Sequence, residues 1–277
     1  MTFPRSDTLT DKVVVITGST RGIGRSIAEA CGAAGARIMV SSRTDASVAE
    51  TIEAFTTRNI ECSGKVADVS SADDVAQLRD TAIETYGRID AWVNNAGISL
   101  GYQYFDDLSA EDVERIVSIN ISGTMHGCRL LIPYFTEHGG ILLNMSGRGF
   151  RGESTPFTAA YASTKAAVSS LTKSLAAENA HAPISIHALV PGMVETDFYT
   201  DIRISPRLER SKNNWRYALD AFGVSLEEVG TKTVEVLAQD PGRITGKTYS
   251  LLTIGKTMRG IVKMMWHRSR GNLVSEV

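Results

Sequence analysis

The run Val13-Val14-Val15-Ile16 is apolar and β-branched at every position. A strand wetted on one face alternates, whereas one apolar on both sides belongs in a sheet covered on both faces. Thr17-Gly18-Ser19-Thr20-Arg21-Gly22-Ile23-Gly24 follows and leads into the helical pattern Ile27-Ala28-Glu29-Ala30. Glycines there permit a tight turn and close approach of the backbone to a pyrophosphate. The helix N-terminus adds N–H groups and a positive dipole end. The spacing is Gly-x-x-x-Gly-x-Gly, not the commoner Gly-x-Gly-x-x-Gly. The strand before it and the helix after it therefore carry the reading.

The pattern repeats. Arg37-Ile38-Met39-Val40-Ser41-Ser42-Arg43 reads as a second strand, and Gly64-Lys65-Val66-Ala67-Asp68-Val69 as a third, before a helix opened by Ser71-Ala72-Asp73-Asp74. Asp90-Ala91-Trp92-Val93 is a fourth, running into Asn94-Asn95-Ala96-Gly97. Ser109 opens a long helix carrying Asn120, Gly140 to Ser146 is a fifth strand, and Ile184 to Val190 a sixth, closed by Pro191-Gly192. Alternation at these lengths predicts right-handed crossovers and an α/β fold: a doubly wound parallel sheet with helices on both faces. Ligands bind beyond the carboxyl ends of such strands, where Gly18, Arg43, Asp68, Asn95, Ser146 and Gly192 fall.

The end of the second strand is where such a fold meets the adenine ribose of a dinucleotide. An acidic residue there would accept from a free 2′-OH. This chain has Ser42-Arg43-Thr44, and Arg21 stands in the glycine loop. Two guanidiniums suit a 2′-phosphate, so NADP(H) is expected ahead of NAD(H).

Tyr161 and Lys165, in Tyr161-Ala162-Ser163-Thr164-Lys165, share one face of an Ala-rich helix. A free tyrosine, with a pKa of about 10, is a poor acid or base at neutral pH. A cation about 4 Å away is worth roughly 4 kcal/mol at an effective dielectric near 20, enough to favour the phenolate. A tyrosine so tuned exchanges a proton with an alcohol or carbonyl oxygen.

A chain of 277 residues, 43% hydrophobic, suits a single large α/β domain over 1–277. The net charge of -2 gives no reason to expect nucleic acid. No apolar run is long enough to span a bilayer, and the N-terminus lacks a signal-peptide core, so a cytoplasmic protein is expected. Neither Cys31, Cys62 and Cys128 nor the five histidines show metal-ligand spacing, so no metal is expected.

With these motifs in order, the chain resembles the short-chain dehydrogenase/reductase family of the single-domain type, over about residues 10–252. The resemblance implies a Rossmann fold and a catalytic set of Asn120, Ser146, Tyr161 and Lys165. Tyr161 would give or take the proton, Ser146 hydrogen-bond the reacting oxygen, and Lys165 tune Tyr161 and hold the nicotinamide ribose. Asn120 would position a water. The cofactor would lie along Gly18 to Gly24, Ser42 to Thr44, Asp68 and Val69, and Asn95-Ala96-Gly97. Pro191, Gly192, Val194 and Thr196 would touch its nicotinamide end. A small-molecule carbonyl or alcohol substrate and a homodimer or homotetramer are implied.

Three features depart from the family pattern. Ser146 and Tyr161 stand about two residues further apart than is usual. Thr253-Ile254-Gly255-Lys256 replaces a common Asp-Gly-Gly, and a tail over 256–277 follows. Residues 197–222 read as a substrate lid. Its aromatics Phe198, Tyr199, Trp215 and Tyr217 suggest an apolar substrate body, and Arg203, Arg207, Arg210, Lys212 and Arg216 an anionic group on it; the preferred alternative is a solvated surface loop. The tail reads as an amphipathic membrane-surface helix, a cover for the site or, preferably, a subunit contact. Two rival functions are a catalytically idle NADP-binding sensor and a nicotinamide-assisted epimerase or dehydratase.

Overall fold

The structure, a computed structural model, describes residues 3–196, 203–211, 213–271 and 273. The strands run β1 (Val13–Ile16), β2 (Arg37–Ser42), β3 (Cys62–Val66), β4 (Ala91–Asn94), β5 (Gly140–Met145) and β6 (Ile184–Val190). A short pair, β7 (Met193–Val194) and β8 (Gly223–Val224), stands apart, and β9 (Thr248–Ser250) returns to the main sheet. That sheet is parallel, in the order β3-β2-β1-β4-β5-β6-β9. The order reverses between β1 and β4, which opens a crevice at their carboxyl ends.

The helices are α1 (Gly22–Ala33), α2 (Asp45–Thr56), α3 (Ala72–Tyr86), α4 (Ala110–Val117), α5 (Gly123–His138) and α6 (Ala159–Glu178). After them come α7 (Asn214–Phe222), α8 (Leu226–Leu237) and α9 (Ile254–Ser269). Val14 and Ile16 of β1 join Ile27 of α1, Phe55 of α2 and Val229 and Val236 of α8 in one core. Val15 faces the other way, onto Leu78 of α3 and Leu131 and Phe135 of α5, with Trp92 and Leu142 from the sheet. Both faces being covered is why the strands are apolar throughout. Each such buried side chain contributes about 1.5–3 kcal/mol.

Several expected boundaries move. The third strand lies at Cys62–Val66. Its ladder ends with the Ala67 N–H donating to the Ser42 carbonyl, and the Asp68 N–H goes to the Asp74 carboxylate at 2.9 Å. Ser71 caps α3 as expected, its hydroxyl accepting the Asp74 N–H at 3.2 Å. The helix opened by Ser109 is interrupted: α4 ends at Val117, a π turn covers Ser118–Ser122, and α5 begins at Gly123. Such turns accommodate one extra residue and re-aim its neighbours.

The candidate lid differs from a plain loop. Pro206–Ser211 forms a 3₁₀ turn, and α7 occupies its last part. Arg207 pairs with Asp106 and Asp107 at 2.7 Å and lies 3.8 Å over the Tyr104 ring, and Arg203 pairs with Asp112. These two arginines thus have carboxylate partners within the chain. Phe198, Tyr199 and Lys212 lie outside the described residues.

Candidate active site

The glycine loop and the β4 loop form one framework. Gly18 and Gly22 take left-handed φ of 62° and 54°, conformations that favour glycine. The Thr17 hydroxyl accepts the backbone N–H groups of Asn95 and Ala96, each at 3.0 Å. The Asn95 amide donates back to the carbonyls of Thr17 and Gly18 at 2.8 and 3.0 Å. A Cβ on Gly24 would lie 2.3 Å from the Gly18 carbonyl oxygen and 2.4 Å from Asn95 Nδ2, so only glycine fits. Arg21 is the N-cap of α1 and makes no side-chain cap, and the first turn holds no acid. Uncapped N–H groups behind a close-packed glycine loop fit a diphosphate.

The same loop is tied to the end of β2. The Ser19 N–H donates to the Ser41 carbonyl at 2.9 Å, and the Ser41 N–H to the Ser19 hydroxyl at 3.0 Å. Arg21 and Arg43 are exposed on the two segments joined in this way. The Ser42 hydroxyl accepts from Ser47 at 2.9 Å, and the Thr44 and Ser47 hydroxyls are 2.7 Å apart. Asp68 accepts from the Ser70 N–H and hydroxyl, while the Val69 carbonyl meets the His126 ring. At the other end Gly192, at φ 84°, packs near Val224 and Leu252. Val194 is buried in β7. Thr196 comes back over the glycine loop, 3.6 Å from where a Gly22 Cβ would stand.

Tyr161 and Lys165 lie one turn apart on α6. The Lys165 ammonium donates to the Met145 carbonyl at 2.9 Å and sits 5.6 Å from the Tyr161 ring centroid. Burial pushes its pKa down to about 8. A Cβ on Gly97 would meet Asn120 Oδ1 at 3.3 Å and Lys165 Nζ at 3.6 Å, which places these groups around one point. Asn120 lies in the π turn. Its Oδ1 accepts the Ile98 N–H at 2.8 Å, and its Nδ2 donates to the Ile98 carbonyl at 3.0 Å and the Thr164 hydroxyl at 3.1 Å. This side chain clamps the β4 loop to α6.

Ser146 departs from its expected role. Its hydroxyl is buried, 2.8 Å from the Ser169 hydroxyl, and donates to the Lys165 carbonyl at 3.1 Å. It therefore faces the body of α6. The backbone facing the phenol belongs to Gly147, where a Cβ would stand 2.6 Å from the Tyr161 oxygen and 3.3 Å from Lys165 Cγ. Strand side chains alternate, so one residue at the end of β5 decides which side a hydroxyl faces.

Beside Tyr161 a cleft is lined by Leu100, Gln103, Phe105, Phe157 and Thr158. Phe157 holds a left-handed φ of 64° and meets the Tyr104 ring edge-on at 5.1 Å. Its carbonyl accepts the Gln103 N–H at 2.8 Å. Strained non-glycine residues of this kind cluster at ligand sites. Gly147, Thr17, Phe157 and Thr164 also belong to this arrangement, although the motifs do not single them out as site residues. Thr164 was open to discovery, being three residues from Tyr161 on the same helix; the other three depend on tertiary placement.

Three proteins illustrate what this chain is similar to in sequence or in structure. A probable chlorophyll(ide) b reductase of rice (Oryza sativa subsp. japonica) is 36% identical over 203 residues, 66% of this chain and 40% of that protein. The match thus spans less than half the length of that relative. 3β-Hydroxysteroid dehydrogenase 1 of Eggerthella lenta is 36% identical over 193 residues, 69% of this chain and 73% of that one. The crystal structure of a 3-ketoacyl-(acyl-carrier-protein) reductase from Brucella melitensis, complexed with NADH, superposes with a TM-score of 0.76 at 27% identity. It covers 88% of this chain and 97% of its own. The sequence pattern described as short chain dehydrogenase matches residues 12–206, from the start of β1 through the Tyr161 helix and beyond β7. Sheet order, glycine cradle and family pattern agree, and the chain belongs to the short chain dehydrogenase family.

Proposed function

We propose that the protein is an NADP(H)-dependent oxidoreductase acting on a carbonyl group or the matching secondary alcohol, with Tyr161 as general acid and base. The observation that carries this reading is the convergence of Asn120 and Lys165 beside Gly97, with the Tyr161 ring next to the Lys165 ammonium, at the mouth of a cradle suited to a dinucleotide. A nicotinamide group bound there supplies the redox chemistry. The chain's own residues do the rest. The Tyr161 hydroxyl gives a proton to the reacting oxygen in reduction and takes it back in oxidation. The Lys165 ammonium, beside the phenol ring, favours the deprotonated form when oxidation calls for it. Asn120 holds the β4 loop and α6 in register. Ser146 is given no contact with the reacting oxygen.

The walls Leu100, Phe105 and Phe157 favour an apolar substrate body. The names of the rice and Eggerthella relatives, a chlorophyll(ide) and a steroid, are in keeping with that class. The Brucella relative was solved with NADH, so cofactor choice rests on Arg21, Ser42 and Arg43 of this chain. Consumption of NADPH with a panel of apolar ketones tests the reading. Wild type should turn over, and Tyr161→Phe should lose about 10²–10⁴-fold in kcat while still binding NADPH. Near-normal turnover in that variant overturns the assignment. Isomerised product without net NADPH loss replaces oxidoreduction by nicotinamide-assisted epimerisation.

A further inference from the structure

Helix α9 has two opposed faces. On one, Gly260 backs onto Phe222, the Lys263 ammonium meets the Asp220 carboxylate at 2.7 Å, and His267 Nε2 lies 2.9 Å from the same carboxylate. The His267 ring also packs on Tyr217, 4.7 Å between centroids. This face fastens α9 to α7. The other face carries Ile254, Met258, Ile261, Val262, Met265 and Trp266, between 46% and 85% exposed. Their steps of four, three, one, three and one make a single stripe along the helix, on the side away from α7. Among the described residues the other large exposed hydrophobics are Val66, Phe105, Val117 and Met125, none of them on this helix.

Charge tells which partner the stripe fits. Residues 254–271 contain no Asp or Glu, in a chain whose net charge is -2. On a helical wheel Arg259 and Arg270 border one edge of the stripe and Arg268 the other. All three are exposed, and Arg270 lies 4.4 Å from the Trp266 ring centroid. Pairing two such helices across a twofold axis would gather six guanidiniums around one apolar strip, with no carboxylate of either α9 to meet them. An anionic bilayer surface offers a phosphate to every guanidinium while the apolar side chains enter the acyl boundary. Among the described residues no helix is long and apolar enough to cross a membrane, and a 16-residue helix with one apolar and one polar face suits a bilayer interface rather than its core.

We infer that α9 docks the protein reversibly on an anionic phospholipid surface through Met258, Ile261, Val262, Met265 and Trp266, with Arg259, Arg268 and Arg270 on the headgroups. The placement carries a consequence for the reaction. α9 rests on α7, and α7 leads through β8 to β7, which follows the Pro191-Gly192 turn at the candidate nicotinamide end. Docking therefore holds that side of the enzyme near the bilayer, where apolar ketones and alcohols partition. The docking inference itself stands independently of the proposed reaction.

Co-sedimentation of the full chain with sucrose-loaded vesicles tests it. Binding is expected to mixed phosphatidylcholine–phosphatidylglycerol vesicles, much less to phosphatidylcholine alone, and to weaken as salt rises. Val262→Asp with Met265→Asp, and separately Arg268→Glu with Arg270→Glu, should each lower partitioning by at least about tenfold. Every substituted side chain lies on the surface, and unchanged thermal unfolding confirms intact folds. Trp266 emission should shift to the blue on binding, and the shift should vanish in Trp266→Phe. Absence of binding to mixed vesicles, or binding indifferent to both double variants, overturns the inference. So does conversion of an oligomer to monomers by Val262→Asp with Met265→Asp in protein that never binds vesicles, which makes the stripe a subunit interface.

Discussion

Gly147 lies so close to Tyr161 that a Cβ in place of its hydrogen would stand 2.6 Å from the phenolic oxygen. Its neighbour Ser146 turns the other way, to Ser169 and the Lys165 carbonyl. The residue facing the phenol thus has no side chain, and the hydroxyl beside it belongs to the packing of β5 on α6.

Two substitutions should separate these roles. Ser146→Ala is expected to keep kcat within about threefold and to cost roughly 1–2 kcal/mol of stability, through the loss of buried hydrogen bonds. Gly147→Ala should lower kcat by tenfold or more, because the phenol must move and a displacement of about 1 Å can cost 10²-fold. A hundredfold loss in Ser146→Ala at full cofactor binding would return that hydroxyl to the reacting oxygen.

How much of this was legible follows from which contacts are local. The glycine loop, the Ser71 cap and the shared face of Tyr161 and Lys165 depend on spacing within a few residues, and each could be read from the chain. The orientation of Ser146 could not, because the composition of a strand end does not say which face its last residue takes. The π turn at Asn120 shows only when α4 and α5 are anchored at both ends. The charge on Arg207 is met by Asp106 and Asp107, about a hundred residues earlier, so the lid's charge pattern says little about substrate.

Lys165 gives a stability prediction of opposite sign to its functional one. Burial lowers its pKa from 10.5 to about 8. Below pH 8 both folded and unfolded chains hold the proton, and the native ammonium carries its full desolvation cost. Between pH 8 and 10.5 the unfolded chain keeps a proton the native state has released, so stability rises with pH. Lys165→Met should therefore raise the Tm of cofactor-free protein at pH 7 by about 2–6 °C, net of the lost bond to Met145, while turnover collapses. The gap should narrow toward pH 10. A lower Tm at pH 7 would mean that the bond to Met145 outweighs the burial cost.

His187 sets an acid limit. It is fully buried in β6, its Nδ1 accepts the Lys247 N–H at 3.3 Å, and its Nε2 has no partner among the described residues. Burial, with Lys247 adding to it, pushes the pKa down from 6.5 to about 4. As pH falls from 6.5 to 4 the unfolded chain takes up a proton the native state refuses, so stability is lost, by about 2 kcal/mol at pH 5. His187→Gln removes that linkage. Its Tm should drop less than that of wild type between pH 7 and pH 5, and equal drops would assign the acid sensitivity to other groups.

Cofactor choice gives the sharpest outcome, because two positions distant in sequence bear on it. The reciprocal hydrogen bonds of Ser19 and Ser41 hold the loop carrying Arg21 against the β2 end carrying Ser42 and Arg43. A 2′-phosphate placed there gains charge-assisted hydrogen bonds of roughly 1.5–3 kcal/mol each, less whatever solvent screens at exposed side chains. A free 2′-OH gains little from either guanidinium. Since 1.4 kcal/mol is a factor of about ten, wild type should prefer NADPH over NADH in kcat/KM by about tenfold to several hundredfold. Raising salt should shrink the ratio, because the screened charges belong to the phosphate and the arginines. The double variant Ser42→Asp, Arg43→Leu should reverse it, its carboxylate accepting from the ribose hydroxyls and repelling the phosphate. Steady-state kinetics with both cofactors at two ionic strengths decide the matter. Equal use of NADH and NADPH by wild type would reduce Arg21 and Arg43 to surface charges.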